Sequence, residues 1–283
     1  HGSFSNKRIR NVMIRALVLS LFLLTTLNLQ AASYGEFKEI DVLDSKRVIV
    51  TSWNSKLGLK LFKKAKYKND FYDLASHFQP QKNPLYCGIA SSAIILNALN
   101  EDNNIIVNSK NTIKKPKIYG ATVIPFYSFT QDDILNNNTD FIKNRAVVNF
   151  KTIDQNLGRY DPGLTLKQLA KLLEYYTLNV KLIYADESNK DGVNSFKEIL
   201  KNTLNIKGEY ILANFQGKKI GSLTSGHISP VAAYNEAKNQ ILILDVASHK
   251  QPWFWVDVNK FYEAMQEKDG SKSRGYLIIS KSL

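Results

Sequence analysis

Cys87 is the only cysteine among 283 residues, and it stands six positions after Gln81, at the start of the apolar segment 88–99. Far downstream, the run Ser225-Gly226-His227-Ile228-Ser229-Pro230 carries a histidine, and 18 positions later Asp245 lies inside an apolar stretch. These residue types suit acyl transfer through a thioester. A cysteine thiolate attacks a carbonyl, a histidine takes the thiol proton and returns it to the leaving amine, and a carboxylate holds the imidazole in one tautomer. Gln81 could donate its side-chain amide to the developing oxyanion, beside the Cys87 backbone N–H. Each residue alone has a duller reading: a buried small hydrophobe, a core histidine, a strand-ending aspartate. Their joint order and spacing argue for chemistry.

The thiol needs an address that favours its ionised form, and a helix N-terminus beside an imidazolium provides one. Pro84 prevents backward extension of the segment 88–100, which places Cys87 at or beside the first turn. Ile89, Ala93, Leu96 and Asn100 share one side of that helix, and Ala90, Ile94, Ala98 and Leu99 fill most of the rest. A helix apolar nearly all round is a buried helix. Thr165 and Gln168 form a capping box ahead of Leu166, Leu169, Ala170, Leu173 and Tyr176, and a third helix is expected over 194–204. Beyond it, 209–215, 228–235, 240–247, 253–258 and 275–280 read as short strands. The predicted class is therefore α+β, with a helical lobe carrying the cysteine and an antiparallel sheet lobe carrying His227 and Asp245. Between the second and third strands, the polar segment 235–240 reads as a hairpin turn that would bring 227 and 245 close to one cross-strand level. Trp253 and Trp255, at alternate positions, are assigned to one sheet face, and His77 and His249 to the surface or to packing.

The remaining composition excludes several functions. One cysteine forms no intrachain disulfide, and the four histidines and that cysteine lack the spacing of a structural zinc site. The net charge is +13, but the segment before Tyr34 holds four basic residues and no acidic one, leaving +9 beyond it. No phosphate loop or RNA-binding aromatic motif accompanies the excess lysine, so nucleic acid is not the expected partner. At the N-terminus, residues 1–3 read as a tag remnant, and Lys7, Arg8, Arg10 and Arg15 precede a 14-residue apolar stretch, 16–29, and the small residues Ala31-Ala32-Ser33. That stretch is short of a spanning helix, so residues 1–33 read as an export signal, with a retained anchor as the alternative. Residues 34–55 form a lead-in and 56–283 the catalytic domain. The expected destination is the periplasm or the medium of a bacterium, without stable membrane insertion once the signal is removed. Oligomeric state is left open, a homodimer included. The polar stretches 100–120 and 136–140 are surface loops.

The segment Phe78-Gln79-Pro80-Gln81-Lys82-Asn83-Pro84-Leu85-Tyr86-Cys87-Gly88-Ile89-Ala90-Ser91, followed by Leu96-Asn97-Ala98-Leu99, closely resembles the nucleophile region of phytochelatin synthases. The stretches Gly226-His227-Ile228-Ser229-Pro230-Val231-Ala232-Ala233-Tyr234-Asn235, Leu242-Ile243-Leu244-Asp245-Val246-Ala247 and Ser273-Arg274-Gly275-Tyr276 match that family's later motifs in order. The similarity runs from about 56 to 283. It implies a papain-like fold and a thiol acyltransferase acting on glutathione. Cys87 would expel glycine and hold γ-glutamylcysteine as a thioester, which water or the amine of a second glutathione would then resolve. The resemblance implies no required cofactor and no protein metal site. Cadmium or zinc would enter as glutathione thiolate complexes, and the expected type is a short bacterial member without the Cys-rich C-terminal region of plant members. Catalytic roles fall on Cys87, His227, Asp245 and Gln81, and substrate-binding roles on Arg274, Gly226 and Tyr86. Arg274 could meet a substrate carboxylate, with a structural surface arginine as the alternative.

Two departures from the family pattern bear on the outcome. Where arginines are expected after the Asn-Phe pair and three residues past the triad aspartate, this chain has Gln216 and Ser248. Their loss loosens the hold on an anionic acceptor, so hydrolysis is expected to dominate over transpeptidation. The competing readings are a general papain-like peptidase and an exported basic binding protein with a vestigial triad.

Overall fold

Alternation of core-facing side chains through the C-terminal half builds a seven-stranded sheet, with every neighbouring pair antiparallel. The structure, a computed structural model, describes residues 50–100, 128–148, 163–186 and 188–282. The export segment, the lead-in up to residue 49 and most of the 100–120 loop lie outside the described residues. The strands are β1 Thr51–Ser52, β2 Leu178–Tyr184, β3 Glu209–Gln216, β4 Gly226–Asn235, β5 Gln240–Ile243, β6 Phe254–Asp257 and β9 Gly275–Lys281, in the order β1-β6-β5-β4-β3-β9-β2. A small hairpin, β7 Lys268–Asp269 with β8 Lys272–Ser273, precedes the last of them. Helices α1 Lys56–Lys64, α2 Asn69–Ser76, α3 Cys87–Leu99, α4 Gln131–Ile134, α5 Arg145–Val148 and α6 Leu166–Tyr175 come mainly before the sheet in sequence, and α7 Gly192–Thr203 and α8 Val258–Gln266 lie among its strands.

The sheet is covered on both faces. Tyr210 and Leu212 of β3 join the core built around α3 and α6, whereas Ile211, Ala213 and Phe215 join a second core with α7 and α8. The whole of α3 is buried, as an all-round apolar helix must be. Gly88 sets how closely it meets the sheet, because a Cβ there would lie 3.1 Å from the Leu164 side chain and 3.2 Å from that of Ile228. Trp253 and Trp255 both pack toward the α3 core, as their alternate spacing predicts. The capping box at α6 is present, with the Gln168 backbone N–H donating to Thr165 Oγ1 and the Thr165 backbone N–H to Gln168 Oε1.

Several expectations need adjustment. Strand β5 ends at Ile243, four residues short of the predicted 240–247, because after the Leu244 backbone N–H reaches Pro230 O the chain leaves the ladder. Strands β2, β7 and β8 and helices α1, α2, α4, α5 and α8 lie beyond the predicted set. Strand β1 falls within the span read as a lead-in, yet Thr51 and Ser52 pair with Trp255 and Phe254. His77 caps the C-terminus of α2 and His249 is exposed, in line with non-catalytic roles.

Helix α2 carries a buried acid. Asp70 is 2 % exposed and its Oδ2 has no hydrogen-bond partner, while Asp73 and Glu209 lie near enough to repel its charge. Burial, reinforced by those two carboxylates, pushes its pKa up to about 9. The folded state therefore keeps a proton that the unfolded chain releases above about 4, so stability falls as pH rises from there toward 9. Asp70→Asn should raise the melting temperature at pH 8 and flatten its decline between pH 6 and 9. Thermal melts across that range check this, and an unchanged slope would count against a protonated Asp70.

Candidate active site

Helix α3 begins with Cys87 itself, after an N-cap at Tyr86. Its backbone N–H belongs to the first helical turn, which has no intrahelical acceptors to offer. The Tyr86 ring packs in the core around α3. His227 enters at the start of β4 opposite Phe215, whose ring meets the imidazole edge-on with centroids 5.7 Å apart. Both Cys87 and His227 are buried, and their side chains lie close enough to shift each other's ionisation.

Asp245 completes the arrangement from the segment after β5. His227 Nε2 lies 2.7 Å from Asp245 Oδ1, which leaves Nδ1 as the nitrogen for the thiol. The predicted cross-strand level is off by one pleat. Val231 pairs with Ile243 and the Leu244 backbone N–H donates to Pro230 O, so Asp245 comes opposite Ser229 and reaches His227 diagonally. Departure of the chain from the ladder after Ile243 makes that reach possible. The carboxylate is fully enclosed and accepts two further hydrogen bonds: the Ala247 backbone N–H at Oδ1, 2.8 Å, and Gln251 Nε2 at Oδ2, 2.5 Å.

Electrostatics follow from these contacts. Burial opposes charge on all three groups, yet pairing prevails. For Cys87, burial is outweighed by the His227 hydrogen bond and charge and by backbone N–H groups of Ile228 and Gly88, holding the thiol below its ordinary pKa. For His227, burial is outweighed by the Asp245 charge and hydrogen bond and by Cys87, raising the imidazole to about 10. Asp245 is held below the usual carboxylate range, again against burial, by His227, Ala247 and Gln251. The contacts favour a thiolate–imidazolium pair braced by a carboxylate, a set able to attack a carbonyl and protonate a leaving amine.

Gln81 is brought to the same place by its backbone, whose N–H donates to Val246 O at 2.9 Å, next to Asp245. Its side-chain Nε2 donates to Asn83 O at 2.8 Å, leaving one amide hydrogen for an oxyanion, and its Oε1 is buried without a partner. Arg274 is not the exposed arginine of the structural alternative. It is 9 % exposed, with Nη1 donating to Asn214 Oδ1 at 2.6 Å and lying 3.5 Å from Asp269 Oδ2, while Nε has no partner. Its guanidinium lies over Gly226: a Cβ there would come within 2.7 Å of Nη2, so a side chain beside His227 would displace the guanidinium. Gln216 pairs with Gly226 across the ladder, and Ser248 is exposed.

A family model described as phytochelatin synthase matches residues 45–276, most of the chain and all of this site. The chain belongs to the phytochelatin synthase family. It is 26 % identical over 238 residues to a glutathione gamma-glutamylcysteinyltransferase of Schizosaccharomyces pombe, a match covering 81 % of this chain and 48 % of the relative. It is also 26 % identical over 234 residues to glutathione gamma-glutamylcysteinyltransferase 1 of Arabidopsis thaliana, covering 81 % and 41 %. The chain thus spans less than half the length of these relatives. Among solved structures, a peptidase domain of Streptococcus ComA superposes with a TM-score of 0.35 at 15 % identity, over 72 % of this chain and 97 % of that one. The fold assignment rests on the topology above: a cysteine opening a buried helix against an antiparallel sheet that carries histidine and aspartate, the papain-like plan.

Sequence reasoning missed Gln251, Asn214 and Asp269. Asn214 and Asp269 are 55 positions apart yet hydrogen bonded, and together they hold Arg274, contacts that no local pattern announces. Gln251 precedes Pro252 in a segment with neither helical nor strand period, so only the fold-back to Asp245 gives it meaning.

Proposed function

We propose that this protein is a glutathione-directed thiol acyltransferase in which hydrolysis outweighs peptide transfer. Cys87 Sγ adds to the carbonyl carbon of the Cys-Gly bond, the C–N bond breaks, and His227 gives its proton to the departing glycine amine. Gln81 and the Cys87 backbone N–H would face the oxyanion. The γ-glutamylcysteinyl thioester then goes to water, giving γ-glutamylcysteine, or to the amine of another glutathione, giving (γ-Glu-Cys)n-Gly. The observation that carries the reading is the buried Cys87–His227–Asp245 relay in a chain of this family. Arg274, tethered beside Gly226 and His227 by Asn214 and Asp269, is the candidate to meet a substrate carboxylate. Cadmium and zinc act in this scheme as thiolate complexes of the substrate. Export of the mature chain belongs to the same proposal, supported by the basic and apolar pattern of residues 7–29. Among the described residues, no helix is long and apolar enough to cross a membrane.

Partition of the thioester depends on how well the acceptor is held, not on the triad. With Gln216 and Ser248 in place of arginines, free γ-glutamylcysteine should exceed phytochelatin at low millimolar glutathione, and cadmium or zinc should raise the peptide fraction only modestly. Ser248→Arg should shift products toward (γ-Glu-Cys)n-Gly with little change in first glycine release. Gln216→Arg would set a second guanidinium beside Arg274, so its gain should depend on an anionic acceptor being present. Chromatographic product ratios check this. Mostly long peptides from the wild type would defeat the acceptor argument, and no glycine release from glutathione would defeat the whole reading.

A further inference from the structure

Asp245 has a third partner outside the triad. Gln251 is 8 % exposed, and its Nε2 donates both to Asp245 Oδ2 at 2.5 Å and to Ser222 Oγ at 2.7 Å, while its Oε1 accepts the Leu223 backbone N–H at 2.8 Å. All of its amide capacity except one acceptor lone pair is therefore used, and used in a fixed orientation. The loop it grips is itself tied down. The Gly217 backbone N–H donates to Ser225 O, the Ser222 backbone N–H to Gly217 O, and Ser222 Oγ meets Thr224 Oγ1 at 2.8 Å. That loop leads directly into Gly226 and His227. Gln251 thus joins the carboxylate to the chain segment that delivers the imidazole.

We propose that Gln251 is a positioning residue: its amide fixes Asp245 as an ionised carboxylate aimed at His227 and locks the 217–225 loop to the same group. This rests on reading Cys87, His227 and Asp245 as the reactive relay, but not on glutathione as substrate. The physical reason is accounting at Oδ2. A buried carboxylate oxygen deprived of its donor is held less well as an anion, and the loss passes to the imidazolium and then to the thiolate, which titrate as a coupled set. Among the described residues, His227 is the charged group acting on Asp245.

The test is the pH dependence of Cys87 alkylation by iodoacetamide, which needs no substrate and reports the only thiol in the chain. Gln251→Met keeps the side-chain length and removes the amide. Its alkylation curve should move to higher pH, with the rate at pH 7 lower by about threefold to tenfold, since one hydrogen bond to an anion typically shifts such equilibria by that order. A purely structural tie would lower the melting temperature and leave the apparent thiol pKa where it was. A folded Gln251→Met with the wild-type curve overturns the proposal. If that variant does not fold, Gln251→Asn withdraws the amide by one methylene: a displaced curve supports the proposal and an unmoved one overturns it. A wild-type curve no different from an ordinary thiol would overturn both the relay and the role of Gln251, whereas an activated thiol with no turnover of glutathione would strike only the substrate assignment.

Discussion

Cys87→Ser should release no glycine from glutathione above background, and Cys87→Ala should match it. With one cysteine in the chain, no second thiol can stand in. Serine would occupy the same first helical turn, but its hydroxyl is far less acidic than a thiol, so the paired imidazole cannot draw off its proton in the ground state. The wild type should instead show a working window set by the pair. Activity rises as Cys87 ionises, at a pH below that of an ordinary thiol, because His227 and the backbone N–H groups of Ile228 and Gly88 favour the thiolate. It falls as pH passes about 10, where His227 loses the proton that the leaving amine needs. Glycine release assayed across pH for all three proteins checks this, and turnover by Cys87→Ser in a preparation free of peptidase would remove Cys87 from the chemistry.

How much of this was legible depended on the range of the interaction. Helix α3 could be read because its information is local: Pro84 stops it on one side, and apolar residues on every face demand burial wherever the chain goes. The capping box of Thr165 and Gln168 was legible for the same reason. Helix α8 was readable in principle, with Asp257 capping Asn259 and Lys260 and with Val258, Phe261, Tyr262 and Met265 at helical spacing, but it follows β6 without a break and its start merges with the strand pattern. Strand β1, two residues long, carries no period at all. At the site, residue identities were legible and their mutual geometry was not. The diagonal approach of Asp245 comes from the irregularity between Val231 and Ala233 and from the chain leaving the ladder after Ile243, both products of tertiary packing. Gln251 is the extreme case, since its partners lie on one distant loop and in one carboxylate.

Asp245→Asn should fold and lose turnover by roughly 10²-fold or more, because the substitution leaves the imidazole in the wrong protonation pattern. Asp245 receives donors at both oxygens, from His227 and Ala247 at Oδ1 and from Gln251 at Oδ2. An asparagine must turn its NH2 toward one of them. Facing Gln251, it sets donor against donor, and relief by rotating the Gln251 amide sacrifices the hydrogen bond from the Leu223 backbone N–H. Facing His227, it makes Nε2 an acceptor, which moves the ring proton to Nδ1 and blocks the nitrogen that should receive the thiol proton. Either orientation also removes the negative charge that lifts His227 to about 10. The alkylation curve of Cys87 should therefore move to higher pH, while the alkaline limb of turnover moves to lower pH and the working window narrows from both sides. A variant with the same stability, wild-type turnover and an unmoved window would show that the carboxylate only fills space.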